Sequence, residues 1–200
     1  MKFTLTYDGE LPSTGNGSRK TERKWEIRKH FHPQLQELWT VHPALRKFSG
    51  PHYVGSQFVE GLAETNERAI DVCAPIQKAG RLFKPIVRRS LGLTCSLNVL
   101  FLRKESAGRV YQGGDLDNRI KTLLDALSVP AHIEQVIDDG AIDDPVLCLL
   151  EDDALVTGLS VQTERLLTRP GASESEVRLT IEVDIRVSDA RRFNSEFLGE

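Results

Sequence analysis

One segment near the end of the chain, residues 177–187, alternates without interruption between apolar and polar side chains. Successive side chains of a β-strand point to opposite faces of a sheet, so this pattern predicts a strand with one buried and one solvated face. Such a strand is typical of an antiparallel or mixed sheet, because strands of all-parallel sheets are apolar on both faces. The apolar residues are Val177, Leu179, Ile181, Val183, Ile185 and Val187.

Three further strands are predicted by the same alternation, over residues 2–7, 93–102 and 155–163, the last with Leu155, Leu159 and Val161 on one face. Helical spacing of Ile120, Leu123, Leu124 and Leu127 predicts a helix over 117–128 that ends before Pro130.

A basic helix is expected from about residue 19 to residue 39, with Thr21 as its N-cap and a break or kink at Pro33. Residues 40–56 are expected to be irregular, and 57–79 carry a weak helical pattern. Together these elements predict an α/β or α+β domain, in which a small mixed β-sheet has flanking helices.

The length of 200 residues suits a single domain over 1–200, with an insertion at about 131–147. No signal-peptide core opens the chain, and its longest apolar run, 146–150, is too short to cross a bilayer, so we expect a cytoplasmic protein. Charge is uneven: residues 1–110 have 18 Lys and Arg against 10 Asp and Glu, and residues 111–200 have 8 against 19. A basic part can bind a polyanion, and an acidic part can hold divalent cations.

The most informative motif is Asp115-Leu116-Asp117-Asn118-Arg119-Ile120-Lys121, where a loop enters the predicted helix. Asp117 and Lys121 are four residues apart and share a helix face beside the apolar stripe, so a site there is expected to be partly shielded from water. A second acidic cluster, 151–153, precedes a predicted strand. Carboxylate oxygens are the ligands that Mg²⁺ prefers, and such a metal can promote phosphodiester hydrolysis. The alternative for each part is structural: helix caps, a surface ion pair and a solvated turn.

The motif Asp-Leu-Asp-Asn-x-x-Lys, followed by Leu-Leu-Asp-Ala-Leu and by Asp-Asp-Ala-x-Val entering a strand, resembles the RusA family of Holliday junction resolvases over residues 93–165. The resemblance implies a RusA-like fold, three metal-binding aspartates at Asp115, Asp117 and Asp153, and a catalytic lysine at Lys121. It also implies Mg²⁺ as the cofactor, with Mn²⁺ as a substitute, branched DNA as the substrate and a homodimer of bacterial or phage origin.

The third metal ligand has alternatives, because residues 131–147 intervene where the family has a short turn. This insertion contains two further acidic pairs, Asp138-Asp139 and Asp143-Asp144. Asp153 is preferred, since only its pair leads directly into an alternating strand.

DNA phosphates are expected to contact basic residues, first among them Arg19, Lys20, Arg23 and Lys24. Further candidates are Arg28, Lys29, Arg81, Lys84, Arg88, Arg89, Arg103 and Lys104, and the alternative for the first group is a solvated helix face. Trp25 and Tyr111 are candidates for base stacking, with core packing as the alternative. The function expected is Mg²⁺-dependent cleavage of branched DNA. The alternatives are an inactive nucleic-acid-binding module of the same fold and an interaction protein whose aspartates serve only as caps.

Overall fold

The computed structural model describes residues 1–11, 17–54, 70–104, 115–167 and 175–198, without the side chains of residues 17, 18 and 115. Its helices are α1 (Gly17–Val41), α2 (Pro43–Arg46) and α3 (Asp115–Leu127). Its strands are β1 (Lys2–Glu10), β2 (Tyr53–Val54), β3 (Ile70–Asp71), β4 (Ile76–Lys78), β5 (Arg81–Val87), β6 (Leu93–Arg103), β7 (Val146–Leu150), β8 (Val156–Arg165) and β9 (Glu176–Val187). Short 3₁₀ turns cover Arg89–Leu91, Ile133–Gln135, Asp153–Leu155 and Arg192–Leu198.

The main sheet has the strand order β1-β9-β6-β8 and is mixed. Strand β9 pairs antiparallel with β1 on one side and with β6 on the other, and β6 pairs parallel with β8. The alternating residues Val177 to Ile185 are almost fully buried, which confirms the predicted strand and its buried face. The mixed α+β architecture expected from the sequence is therefore confirmed.

The predicted apolar face of the edge strand β8 is only partly buried. Leu159 and Val161 stand opposite Leu97 and Val99, which face the core. Leu159 nevertheless stays 45% exposed, since β8 has a neighbouring strand on one side only. An extra residue of β8 between the partners of Cys95 and Ser96 also shifts the register, so Leu155 does not continue the same alternation.

A second sheet, β4-β5-β7, differs from the prediction. Strand β5 pairs antiparallel with β4 and parallel with β7. The helical pattern expected over 57–79 is wrong for residues 70–79, which hold strands β3 and β4, and residues 55–69 lie outside the described ranges. Strand β7 is a short apolar run buried on both faces, which periodicity alone cannot assign to a strand.

Helix α1 begins at Gly17 and passes through Pro33, so Thr21 is not its N-cap and Pro33 does not end it. Proline in a helix removes one backbone hydrogen bond. Phe31 and Leu35 on either side of Pro33 are buried in the main core, and their packing offsets that loss. In the described ranges, no helix is both long and apolar enough to cross a membrane.

Candidate active site

The motif residues lie at the start of α3, which begins at Asp115. Ile120 and Leu123 turn into the main core, whereas the side chains of Asp117 and Lys121 are exposed. The partial shielding expected for this pair is therefore not found. No ion pair joins Asp117 to Lys121 or to any other cation in the part of the chain that the structure describes. The alternative of a surface pair at this spacing is thus not realised, and both side chains are available for other partners.

The opposite end of α3 is held firmly by α1 and β7. Arg28 donates from Nη2 to the carbonyl oxygens of Asp125 (2.6 Å) and Ser128 (3.0 Å), and the Val129 N–H donates to the Leu150 carbonyl (2.9 Å). A guanidinium at these carbonyls is favourable, because the last carbonyls of a helix have no partner inside it and carry partial negative charge. The end of β7, which leads into residues 151–153, therefore lies beside the C-terminal end of α3.

The separation along α3 sets a geometric condition on the predicted metal site. Asp117 lies about 16 Å from Ser128 along the helix, at about 1.5 Å per residue. The chain from Leu150 to Asp153 spans at most about 10 Å. Asp153 and Asp117 can therefore bind the same metal ion only if residues 151–153 turn back along α3. The described residues hold no group of three His, Cys, Asp or Glu that could bind a metal, and the Asp115 side chain lies outside them.

Asp152 and Asp153 differ in their surroundings. The Asp152 carboxylate accepts a hydrogen bond from the Ala154 N–H (2.9 Å) and lies 3.4 Å from Nη2 of Arg89. This backbone bond, aided by Arg89, lowers the pKa of Asp152 below its usual range. Asp153 is exposed, and no described cation pairs with it. Asp152 therefore caps the short 3₁₀ turn, and Asp153 is the member of the pair that is open to a ligand.

Most of the competing acidic side chains already have structural partners. Arg81 forms ion pairs with Asp138 (2.8 Å) and Asp144 (2.7 Å). Asp139 binds Lys29 (2.5 Å) and accepts hydrogen bonds from the Ala141 N–H and from Nε1 of Trp25. These contacts, with Lys29 foremost, lower the pKa of Asp139 to about 2.

Among the four aspartates of this insertion, Asp143 alone is exposed without a described cationic partner. The distribution of partners therefore leaves Asp143 and Asp153 as the two aspartates between residues 131 and 153 that are open to a metal.

Several of the basic residues expected to contact DNA are inside the protein. Lys24 is only 6% exposed and pairs with Asp125 at 2.6 Å, which argues against its contacting phosphate. The remaining buried members of the predicted set are Arg28, Arg81, Lys84, Arg88 and Arg103.

Three of the four leading DNA-contact candidates remain accessible to some degree. Arg23 is partly exposed and pairs with Glu10 at 3.1 Å. Arg19 is exposed and Lys20 half-buried, and neither has an acidic partner among the described side chains. The two candidates for base stacking differ: Trp25 is buried, as the packing alternative expects, and Tyr111 lies outside the described residues.

Two cations, Arg28 and Arg81, have structural roles that the sequence did not predict. Arg28 binds the last carbonyls of α3, and Arg81 holds the 131–147 segment. The acidic pairs of that segment indicate that cations lie beside them, but nothing in the sequence shows which cations these are.

Comparison of the chain with models of protein families, with curated proteins and with solved structures finds no match.

Proposed function

We propose that this chain is a Mg²⁺-dependent endonuclease of the RusA-like type that resolves Holliday junctions and related branched DNA. The observation that carries the proposal is the Asp-Leu-Asp-Asn-x-x-Lys motif at the start of α3, where Asp117 and Lys121 are exposed and not paired with each other. A motif used only as a surface ion pair would join these two side chains.

The chemistry of the donor set fits a hard cation. Asp115, Asp117 and Asp153 would hold Mg²⁺, or Mn²⁺ in its place, through carboxylate oxygens. The bound metal would polarise a phosphoryl oxygen and activate a water molecule. Lys121, on the same helix face as Asp117, would neutralise charge on the scissile phosphate or on its leaving oxygen. Arg19 and Lys20, at the start of α1, would position the DNA backbone.

A homodimer belongs to the same proposal. A four-way junction is cut on two opposed strands, and a two-fold axis would present one site to each of them. The expected assembly is therefore two copies of this chain, which sedimentation or light scattering of the purified protein would measure.

The test is cleavage of a synthetic four-way junction by the full chain, with Mg²⁺ and with EDTA. We expect cutting in Mg²⁺ only, and none by Asp117→Asn, which still binds the junction. The matched control is Asp8→Asn, an exposed carboxylate on β1 that pairs with Arg178. If Asp117→Asn still cut the junction, Asp117 would not be part of the active site. If the wild-type chain did not cut under any of these conditions, the proposal of a nuclease would be wrong.

A second candidate is a nucleic-acid-binding module of the same fold without catalysis. It is favoured by the absence of a gathered three-ligand group among the described residues and by the acidic insertion at 131–147. This candidate predicts salt-dependent junction binding with no cutting of four-way, flap or linear substrates. An interaction protein, the third alternative, would show neither DNA affinity nor a thermal shift with Mg²⁺.

A further inference from the structure

A cavity of about 440 Å³ lies between the second half of α1, helix α2 and the adjoining parts of β5 and β7. Its lining combines an aromatic ring, two cations, small polar side chains and the apolar residues Pro145 and Leu147. None of the lining residues belongs to the candidate active site. The residues that matter for its chemistry are Gln36, Trp39, Arg46, Ser49 and Lys84.

Lys84 is the unusual residue of this cavity. Lys84 is only 8% exposed, yet no described carboxylate forms an ion pair with it. Its Nζ donates to the carbonyl oxygens of Phe48 (2.7 Å) and Ser49 (2.9 Å) and lies 4.5 Å from the centre of the Trp39 ring. An ammonium group has three hydrogens, so two carbonyl bonds leave one donor unused.

The charge of Lys84 is only partly compensated by these neighbours. A buried charge is costly unless an opposite charge or several hydrogen bonds accompany it. Burial lowers the pKa of Lys84 accordingly. The Asp71 carboxylate acts favourably on this charge without an ion pair, and Arg88 acts unfavourably. An anion in the cavity would add opposite charge beside Lys84.

Arg46 adds a second cation to the same lining. It belongs to α2 and is exposed, and no acidic side chain of the described ranges pairs with it. A guanidinium presents a planar fork of donors that suits phosphate and carboxylate oxygens. Two cations from separate elements, with Gln36 and Ser49 as polar neighbours, therefore line one concave space.

We propose that this cavity is a phosphate-binding site, in which Arg46 and Lys84 hold a phosphate group. A phosphate monoester or diester is anionic at neutral pH, and its oxygens can accept hydrogen bonds from a guanidinium fork and from an ammonium group. The phosphate belongs either to a small phosphorylated molecule or to a nucleic-acid backbone. The site differs from the proposed metal centre and needs no divalent cation.

The experiment is calorimetric titration of inorganic phosphate into the full chain, in EDTA and at constant ionic strength. We expect saturable binding with a Kd on the order of 1 mM. Arg46→Gln should weaken it at least about tenfold, because a charge-assisted hydrogen bond is lost. Arg46 is exposed, so this variant should fold normally. Lys84→Met is the second variant, and Arg165→Gln, an exposed arginine at the end of β8, is the control.

The outcomes separate cleanly. Absence of saturable phosphate binding, or equal affinity in the wild-type chain and Arg46→Gln, overturns the proposal. Competition by a short single-stranded oligonucleotide identifies the backbone of nucleic acid as the source of the phosphate, and lack of competition identifies a small molecule. EDTA removes any metal, and Asp117→Asn should bind phosphate like the wild-type chain, so failure of the nuclease proposal would not change this result.

Discussion

Neighbouring carboxylates can have different duties, as Asp152 and Asp153 illustrate. Asp152 accepts the Ala154 N–H and meets Arg89, whereas Asp153 is exposed. We expect Asp153→Asn to abolish junction cutting, because it would remove a proposed metal ligand. Asp152→Asn should retain most of the cutting, because asparagine still caps the turn. Cleavage rates of the two isosteric variants in Mg²⁺ decide this. If only Asp152→Asn lost cutting, Asp152 and not Asp153 would be assigned as the metal ligand.

His32 makes the stability of the protein depend on pH. Its Nδ1 accepts the Leu147 N–H at 3.1 Å, which needs the neutral ring, and burial lowers its pKa below the ordinary value of 6.5. Asp143 opposes this shift and Arg81 adds to it. Because the folded-state pKa is lowered, the contribution of His32 to stability is complete above about pH 6.5 and is lost as pH falls through the folded-state value.

The urea concentration at half-unfolding should decrease as the pH is lowered from about 8 to about 5. We expect this decrease to be larger in the wild-type chain than in His32→Asn. The asparagine oxygen can accept the same N–H but does not titrate. Parallel midpoint curves for the two proteins would show that His32 does not couple folding to pH.

For single residues, the sequence predicted those features that depend only on spacing along one helix or strand. The motif Asp115 to Lys121 was recognisable because its residues are neighbours on one helix. The burial of Lys24 against Asp125 was not, since the two residues are distant in the chain and meet only when α1 packs on α3. Charge runs alone cannot distinguish an internal cation from one that contacts solvent or DNA.

The segment 131–147 is anchored by several contacts, and the buried Arg81 makes the largest number of them. Arg81 pairs with Asp138 and Asp144 and donates to the Ile142 carbonyl. We expect Arg81→Met to lower the free energy of unfolding by about 2 kcal/mol, because it leaves a buried carbonyl without its donor. Chemical denaturation measures this change.

The matched control for that change is Arg178→Met, whose ion pair with Asp8 is more than half exposed on both sides. It should cost no more than about 1 kcal/mol, as exposed pairs contribute little. Equal losses in the two variants would mean that the segment is not anchored through Arg81.

Elements with long, regular patterns were predictable, and short buried ones were not. Strands β6 and β9 and helix α3 matched their periodicity within two residues at each end. Strand β7 was missed because a short apolar run buried on both faces has no alternation. Strand β5 was missed because two of its buried positions are the cations Arg81 and Lys84, which do not read as a core strand. Helix α1 continues through Pro33 because tertiary packing of Phe31 and Leu35 outweighs a local preference.

For the whole molecule, the burial of many cations limits how many can reach DNA. Each phosphate contact on duplex DNA contributes about 0.9 to the slope of log affinity against log salt. The double variant Arg19→Gln/Lys20→Gln should therefore reduce that slope by about 2. Lys24→Gln should leave the slope unchanged and lower stability instead, since Lys24 is internal. A smaller slope in Lys24→Gln would show that Lys24 contacts a DNA phosphate.

The proposed site requires that the carboxylates at the start of α3 bind one divalent cation together with a downstream carboxylate, and calorimetric titration with Mn²⁺ measures this binding. Binding should be saturable in the wild-type chain and strongly weakened in both Asp117→Asn and Asp153→Asn, while Asp143→Asn and Asp8→Asn bind like the wild type. Mn²⁺ affinity that is absent, or that Asp117→Asn leaves unchanged, would contradict the account.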